Sequence, residues 1–276
     1  MLKIENTEVI GWEAAIRGMR NPMNSWDKTD TEFHGGLVRF DDCNKRWKDN
    51  GYLMSLGSND LKLMSTLCNA GTDHRKFMRM ITVYLDITAP LYWWKEFDTY
   101  KVGTVANSCS TMHKIADKEF TLEDFSYEHL LDVTTVKDNE TIYLNGIYHT
   151  SRGVLLNMIV CLNTFRKLYL ETKDKRYWWQ MIQLLPSSYN QRRTVMLNYE
   201  VLANIYKSRY NHKLDEWHTF CDWVEKLPYS ELITGKEEYT PEYISVIDKF
   251  NEIGNVYPVT SEELAKVLNE EEEIND

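Results

Sequence analysis

The residues best suited to hold a polar ligand lie in one stretch, 89–114. It opens with the apolar and aromatic segment APLYWW and continues into a run of hydroxyl and amide side chains: Thr104, Asn107, Ser108, Ser110 and Thr111. Such groups both donate and accept hydrogen bonds, so the run favours a loop that presents them to a ligand. Proline suits a first helical turn, and Pro90 therefore predicts a short, mostly buried helix over 90–100. An ordinary helix–loop connection is the alternative that local chemistry leaves open.

A second set of polar residues lies in a predicted helix over 191–210. Asn198, Asn204 and Arg209 interrupt its apolar pattern, although asparagine lowers helix propensity. Asn198 and Arg209 are eleven residues apart, which is about three helical turns, or roughly 16 Å. They would then face nearly the same way and could contact a ligand at two points. Alternatively, they only cap and solvate the helix.

Helices and strands are both predicted around these two stretches. Alternating patterns predict strands over 2–12 and 77–88, and helical spacing predicts helices over 12–20, over 61–70 and from Ser151 onward. Residues 24–57 are rich in turn residues and are expected at the surface. Three residues before the helix over 61–70 are candidate N-caps, and a glycine after it is the candidate C-cap: Ser58, Asn59, Asp60 and Gly71.

The composition limits the class of protein. Hydrophobic residues make up 43% of the 276 residues and aromatic residues 13%, which is enough for a sizeable core. The apolar run 153–162 is too short to cross a bilayer, and no signal peptide is predicted. The five cysteines are widely spaced without a C-x-x-C pair, so neither a disulfide framework nor a zinc site is predicted. We expect a cytoplasmic protein without a membrane partner.

The negative charge is concentrated at one end of the sequence. Residues 236–276 carry −9 of the net charge of −10. This division predicts a domain over 1–235 and an acidic C-terminal extension over 236–276. The nearly neutral body lacks the basic face that duplex nucleic acid requires, but its charge is compatible with an anionic small ligand.

The stretch 89–114 resembles the signature region of the flavin-dependent thymidylate synthases. In that family an A-P segment leads into R-H-R-x-x-S-x-N-x-x-S-x-R-Y, the loop that meets flavin and deoxyuridylate. The corresponding residues here are Thr99, Tyr100, Lys101, Thr104, Asn107, Ser110, Met112 and His113. The N-x-x-S core is intact, one extra residue separates Thr104 from Asn107, and most of the arginines are absent.

Other parts of the chain resemble the same family in the same order. His74 and Phe77 match part of G-H-x-x-P-F-E-H, although His74 could equally be a surface histidine. Residues 119–121 and Phe125 resemble a family strand, E-F-Y-I-P. Counting from Pro186, a set of later residues falls on the family's positions, the last two with one residue of slippage: Asn198, Leu202, Asn204, Arg209, His212 and Trp217.

The resemblance covers about residues 1–235 and implies the fold class, α/β (α+β), with helices around a twisted sheet. It also implies a homotetramer with sites shared between subunits, FAD as cofactor, NADPH and methylenetetrahydrofolate as co-substrates, and a pyrimidine nucleotide as substrate. By position, it implies substrate binding by Lys101, Thr104, Asn107, Ser110 and Arg209. It implies cofactor binding by His74, Tyr100, Lys101, Asn198, Asn204 and His212. Arg209 would be catalytic, polarising the pyrimidine ring.

Three residues depart from the family where it has arginines, namely Met112, Ile182 and Glu200. Without these arginines the site loses positive charge and the planar guanidinium groups that can form two parallel hydrogen bonds to a ligand. Candidate replacements are Lys101, Arg75, Arg79, Arg192 and Arg193. Two functions therefore remain open. One is a divergent flavoenzyme that transfers a one-carbon unit to C5 of a pyrimidine deoxynucleotide, or otherwise modifies that carbon. The other is a catalytically inactive scaffold of the same fold that binds a nucleotide or a protein.

Two further expectations concern single side chains. An Arg209 that faces a ligand would lack a carboxylate partner, whereas a structural arginine would pair with a nearby acid such as Glu200, Asp215 or Glu216. In a homo-oligomer, exposed aromatic residues would anchor the interface, and the candidates are Trp93, Trp94 and Trp217.

Overall fold

The computed structural model describes residues 1–35, 48–49, 52–144 and 146–236. In these ranges the strands are β1 (Lys3–Ile10), β2 (Glu32–Gly35), β3 (Lys48–Asp49), β4 (Tyr52–Ser55), β5 (Thr82–Pro90), β6 (Val105–Ser108), β7 (Ile142–Leu144), β8 (Ile147–His149) and β9 (Asn190–Asn198). The helices are α1 (Trp12–Arg20), α2 (Ser58–Asn69), α3 (Leu91–Phe97), α4 (Ser151–Thr172), α5 (Lys175–Leu184), α6 (Tyr199–Arg209), α7 (Asp215–Val224) and α8 (Glu231–Thr234). No helix in these ranges is long and apolar enough to cross a membrane.

The chain divides into two units, 1–235 and 236–276. Apart from Lys236, the second unit lies outside the described residues. The predicted acidic extension therefore stays a prediction. Parts of the turn-rich segment 24–57 also lie outside the described ranges.

A four-stranded antiparallel sheet in the order β1-β5-β9-β6 forms the centre of the first unit. One face of β5 lies in the core and consists of the buried residues Val83, Leu85, Ile87 and Ala89, while Tyr84 on the other face is exposed. This alternation confirms the predicted strand, but the strand begins at Thr82 because Lys76–Arg79 forms a 3-10 turn. The predictions of β1, α1, α2, α3 and α4 are also confirmed, with small shifts in their ends.

The predicted helix over 191–210 is wrong in its first half. Residues 190–198 form β9, which pairs with β5 along its whole length. The physical reason is a period of two, since Gln191, Val195 and Leu197 are buried and Arg192 and Thr194 are exposed. The helix begins only at Tyr199.

Two smaller expectations about strands are also wrong. Part of the predicted ligand loop is strand β6, which adds to the edge of the sheet and pairs Asn107 with Thr194. Residues 119–121, predicted as a strand, precede a 3-10 turn over Leu122–Asp124 that has its own capping box. Near this turn, only an isolated bridge joins Phe125 to Tyr189.

The large aromatic residues build the core instead of an exposed interface. Trp93, Trp94 and Trp217 are at most 1% exposed, so their expected role as exposed anchors is wrong. The rings of Trp93 and Trp217 lie 4.7 Å apart, and Phe97 stacks on Trp93. Burial of this size supplies much of the hydrophobic stabilisation, and it fixes α3 against α7. A second cluster lies along α4 and α5, around Leu155, Ile159, Leu162 and Met181.

Helix α2 is capped from a distant segment, not by its own first residues. The carboxylate of Asp30 accepts hydrogen bonds from the backbone N–H groups of Asn59 (2.8 Å) and Asp60 (3.0 Å). A Cβ atom on Gly57 would lie 2.1 Å from Asp30, so glycine is required for this approach. Asp60, a predicted cap, is instead completely buried and pairs with Arg20.

Candidate functional site

The structure places the predicted site residues mainly in two groups, connected by the loop 98–104. The first group surrounds Glu96 at the end of α3 and contains Tyr100, Arg209 and His212. The second lies where α6 begins and contains Thr104 and Asn198, while Asn204 lies in the middle of α6 beside Arg75.

One carboxylate oxygen organises the first group. Glu96 Oε2 accepts a hydrogen bond from Trp217 Nε1 at 2.9 Å and lies 3.0 Å from Arg209 Nη1 and 3.3 Å from His212 Nε2. His212 Nδ1 accepts from the backbone N–H of Leu214 at 3.2 Å, which leaves Nε2, the nitrogen nearer to Glu96, to carry the proton. Charge-assisted bonds of this kind are the stronger ones in proteins.

Arg209 does not meet the expectation of an arginine without a carboxylate partner. It pairs with Glu96, which is none of the three acids named above. Its Nε donates to the Tyr100 hydroxyl at 2.9 Å, and its guanidinium lies 5.0 Å from the centre of the Trp217 ring. The side chain is only 19% exposed. Among the described residues its Nη2 has no hydrogen-bond partner, so this nitrogen can still donate to a ligand.

The second group includes a glycine turn against the first residues of α6. Asn198 caps this helix, because its Oδ1 accepts from the backbone N–H of Val201 at 3.0 Å. Gly103 has φ +78°, and a Cβ atom there would lie 3.0 Å from Asn198 Nδ2. The neighbouring Thr104 Oγ1 is buried without a hydrogen-bond partner in the described part of the chain. Buried hydroxyls are normally satisfied, so the unpaired Thr104 Oγ1 is the unusual feature of this second group.

Glu200, which replaces a family arginine, is neutralised by Arg75. Arg75 Nε lies 2.8 Å from Glu200 Oε2, and its Nη2 donates to Glu200 Oε1 at 3.2 Å and to Asn204 Oδ1 at 3.3 Å. The guanidinium thus forms a bidentate pair with the acid. Arg75 is therefore engaged, and it does not offer a free cation as the candidate replacement would need to do.

Asn107 lies on the exposed face of the sheet, beside a polar cluster centred on Asp86. Asp86 accepts hydrogen bonds from Thr194 (2.6 Å), Asn6 (2.7 Å) and Arg192 (2.7 Å). These bonds, the one from Thr194 first, lower the pKa of Asp86 to about 2. Arg192 is thus paired, and Arg193 pairs with Asp98 at 2.7 Å.

The remaining predicted residues belong to neither group. His74 is exposed on a turn. Ser110 Oγ accepts from the backbone N–H of His113 at 3.0 Å and so closes a local turn. Lys101 and Arg79 are exposed and form no ion pair within the described ranges. Of the five candidate replacements for the missing arginines, only these two cations remain unpaired there.

Glu96 is the residue that the sequence reasoning missed. No motif marked it, and its only signal is its place on α3, four residues before Tyr100. In the described part of the chain, no group of three or more His, Cys, Asp or Glu residues could hold a metal ion. The side-chain amides, the Thr104 hydroxyl and the Nη2 of Arg209 are polar groups that can hydrogen-bond heteroaromatic rings, and they lie towards opposite ends of α6. For phosphates, Lys101 and Arg79 are the available cations.

Comparisons with known proteins support the fold but give no close relative. No protein-family model and no curated protein matches the chain. The flavin-dependent thymidylate synthase ThyX from Helicobacter pylori, solved with FAD and dUMP, is 14% identical, with 84% of this chain and 97% of that chain covered and a TM-score of 0.54. The UMP/dUMP methylase PolB from Streptomyces cacaoi, bound with 5-Br dUMP, is 12% identical, with 85% and 95% covered and a TM-score of 0.50. The predicted fold class is confirmed.

Proposed function

We propose that this chain, which has the fold of the flavin-dependent thymidylate synthases, binds a pyrimidine nucleotide and FAD and transfers a one-carbon unit to C5 of the pyrimidine. One observation carries the proposal. The loop 100–104 contacts α6 at both ends, through Tyr100 on Arg209 and Gly103 against Asn198. Residues from the two separate motif regions are thereby assembled along one helix, as a shared ligand site requires.

The protein groups in this proposal bind and orient the ligands. Arg209 would use its free Nη2 to hold a pyrimidine oxygen and to stabilise the charge that develops there. Asn198 and Asn204 would hold the flavin, and His212 and Tyr100 would support them, whereas the Thr104 hydroxyl would contact the nucleotide. When bound, the reduced flavin supplies a hydride. NADPH and methylenetetrahydrofolate are the proposed reductant and carbon donor.

The nucleotide phosphate would be held differently from the arginine-rich pattern of the family. Lys101 is exposed on the loop that links the two groups and has no acidic partner in the described residues. A lysine provides a mobile point charge, not a planar fork. We therefore propose Lys101 as the main phosphate contact, with Asn107 and Ser110 as further contacts from the signature region.

We also propose that the protein is a homotetramer in the cytoplasm. Asn107 lies on an edge strand whose four residues are all exposed, so its distance from the α6 groups could be bridged by a second copy. The cysteines Cys68, Cys109, Cys161 and Cys221 are free thiols, which supports a reducing compartment.

A second candidate is a scaffold of the same fold that binds a nucleotide without turnover. The observation that favours it is the pairing of four arginines of the candidate site with acids, namely Arg75, Arg192, Arg193 and Arg209. Each pair removes a net positive charge from a site that must hold an anion. The scaffold would still use the Thr104 and asparagine groups.

The visible absorption spectrum of the purified protein, followed by calorimetric titration with deoxyuridine monophosphate, separates these functions. An enzyme of the proposed kind carries or takes up flavin and binds the nucleotide. A scaffold binds the nucleotide without flavin. If neither ligand binds, both proposals are wrong.

A further inference from the structure

Glu96 joins residues from three parts of the chain through one oxygen atom. Its Oε2 lies within 3.3 Å of a nitrogen atom in each of Arg209, His212 and Trp217. Arg209 ends α6, Trp217 lies in α7, and His212 lies between the two helices. Glu96 itself is 35% exposed on the last turn of α3, so its position is set by the buried aromatic residues of that helix.

The contacts of Arg209 restrict its guanidinium in three ways. Glu96 holds Nη1, the Tyr100 hydroxyl holds Nε, and the Trp217 ring lies against the plane. A long side chain held in this manner has already lost its rotamer freedom before a ligand arrives. Only Nη2 is left without a described partner.

We infer that Glu96 is a positioning residue, which holds Arg209 ready to donate from Nη2 to the pyrimidine base; this inference rests on the proposed function. The ion pair is close to neutral overall, so Arg209 acts through directed hydrogen bonds more than through net charge. In the proposed function Lys101 holds the phosphate, so the contribution of Arg209 is made to the base. Removing the Glu96 side chain should weaken the binding of a nucleoside and the binding of its monophosphate by the same factor.

A double-mutant cycle tests this coupling. The variants are Glu96→Ala, Arg209→Ala and the double variant, titrated calorimetrically with deoxyuridine and with deoxyuridine monophosphate. We expect Glu96→Ala to weaken the binding of both ligands about tenfold. In the Arg209→Ala background, the same substitution should cause no further loss of affinity. Glu96→Gln should lose less affinity, because the amide oxygen of glutamine can still accept hydrogen bonds from Trp217 and Arg209. If Glu96→Ala does not fold, Glu96→Gln gives a cycle with a smaller expected loss of affinity, which should still vanish in the Arg209→Ala background.

A control variant separates positioning from the loss of one acid. Asp117→Asn removes a carboxylate from an exposed pair with Lys114 and should leave both affinities unchanged. Tighter binding of the monophosphate by Glu96→Ala would mean that Glu96 only masks the charge of Arg209, and it would overturn the inference. An equal effect of Glu96→Ala with and without Arg209 would also overturn it.

A measurement without ligand distinguishes failure of the inference from failure of the proposed function. In nitrogen-15 spectra, the Nη–H signals of Arg209 should be resolved and slow to exchange in the wild type, because Glu96 holds Nη1, and averaged by rotation and solvent exchange in Glu96→Ala. An unchanged signal overturns the inference, even where the nucleotide binds. If the signal is lost as expected but the wild type binds no pyrimidine, Glu96 orders Arg209 and the proposed function is wrong.

Discussion

Replacing Asp60 by asparagine should cost the folded state about 3–5 kcal/mol, the range for breaking a buried ion pair, although the side chain keeps its shape. Asp60 is completely buried and Arg20 is 4% exposed. Oδ1 accepts from Arg20 Nε at 2.8 Å and lies 2.7 Å from Arg20 Nη2. Oδ2 accepts from the Thr29 and Thr31 hydroxyls at 2.6 and 2.7 Å. Asparagine has one acceptor oxygen, so its NH2 group would face donors in either orientation.

The effect should depend on pH in a defined direction. Burial alone would raise the pKa of Asp60, but hydrogen bonds from Thr29, Thr31 and Arg20 outweigh it and hold the pKa below 3.8. A carboxyl group whose pKa is lower in the folded state stabilises that state above its unfolded pKa. This stabilisation is lost as the pH falls through the folded pKa. The difference between wild type and Asp60→Asn should therefore be full at neutral pH and shrink in acid.

Urea denaturation followed by circular dichroism, at neutral pH and in acid, measures this difference. For a chain of this size the loss corresponds to a fall in Tm of roughly 10 °C. Asp98→Asn is the matched control, because its pair with Arg193 leaves Asp98 49% exposed, and such pairs contribute about 1 kcal/mol or less. A loss below about 1 kcal/mol for Asp60→Asn, or an equal loss for the control, would refute this account of the buried pair.

Three other changes follow from the same structure. Arg209→Ala should weaken the binding of deoxyuridine monophosphate at least tenfold, about 1.4 kcal/mol. It should also cost roughly 1–3 kcal/mol of folding stability, because Glu96 loses its charge partner. Calorimetry measures the first effect and urea denaturation the second, and an affinity equal to that of the wild type would make Arg209 purely structural. Deleting 236–276 should leave the Tm within a few degrees, and a large fall in a thermal melt would show that the extension packs on the body. Light scattering at micromolar concentration should give an oligomer, whereas a monomer would exclude a site shared between subunits.

The spacing of apolar residues in the sequence was sufficient to predict those helices and strands in which buried residues recur with a single period. The strand β5 alternates from Thr82 to Ala89, and α4 carries buried residues at helical spacing. Residues 191–210 contain two patterns in succession, so reading them as one helix concealed the change at Asn198. The capping preference of asparagine was the available signal for that boundary, since Asn198 ends β9 and caps α6.

Pairing between distant residues could not be predicted in this way. Glu96 and Arg209, or Asp30 and the start of α2, are brought together only by tertiary packing. The family resemblance placed Asn198, Asn204 and Arg209 on α6 or at its start, but it gave no information about the acids that accompany the substituted positions. Glu200 and Arg75 show this, because neither residue follows the family pattern and each neutralises the other.

Release of tritium from deoxyuridine monophosphate labelled at C5 tests the proposed reaction most directly. The substitution of C5 must expel its hydrogen, so label appears in water only if that bond breaks. With FAD, NADPH and methylenetetrahydrofolate present, the wild type should release tritium, and Arg209→Ala should release far less. A wild type that binds the nucleotide and flavin but releases no tritium would contradict the enzyme and leave the scaffold.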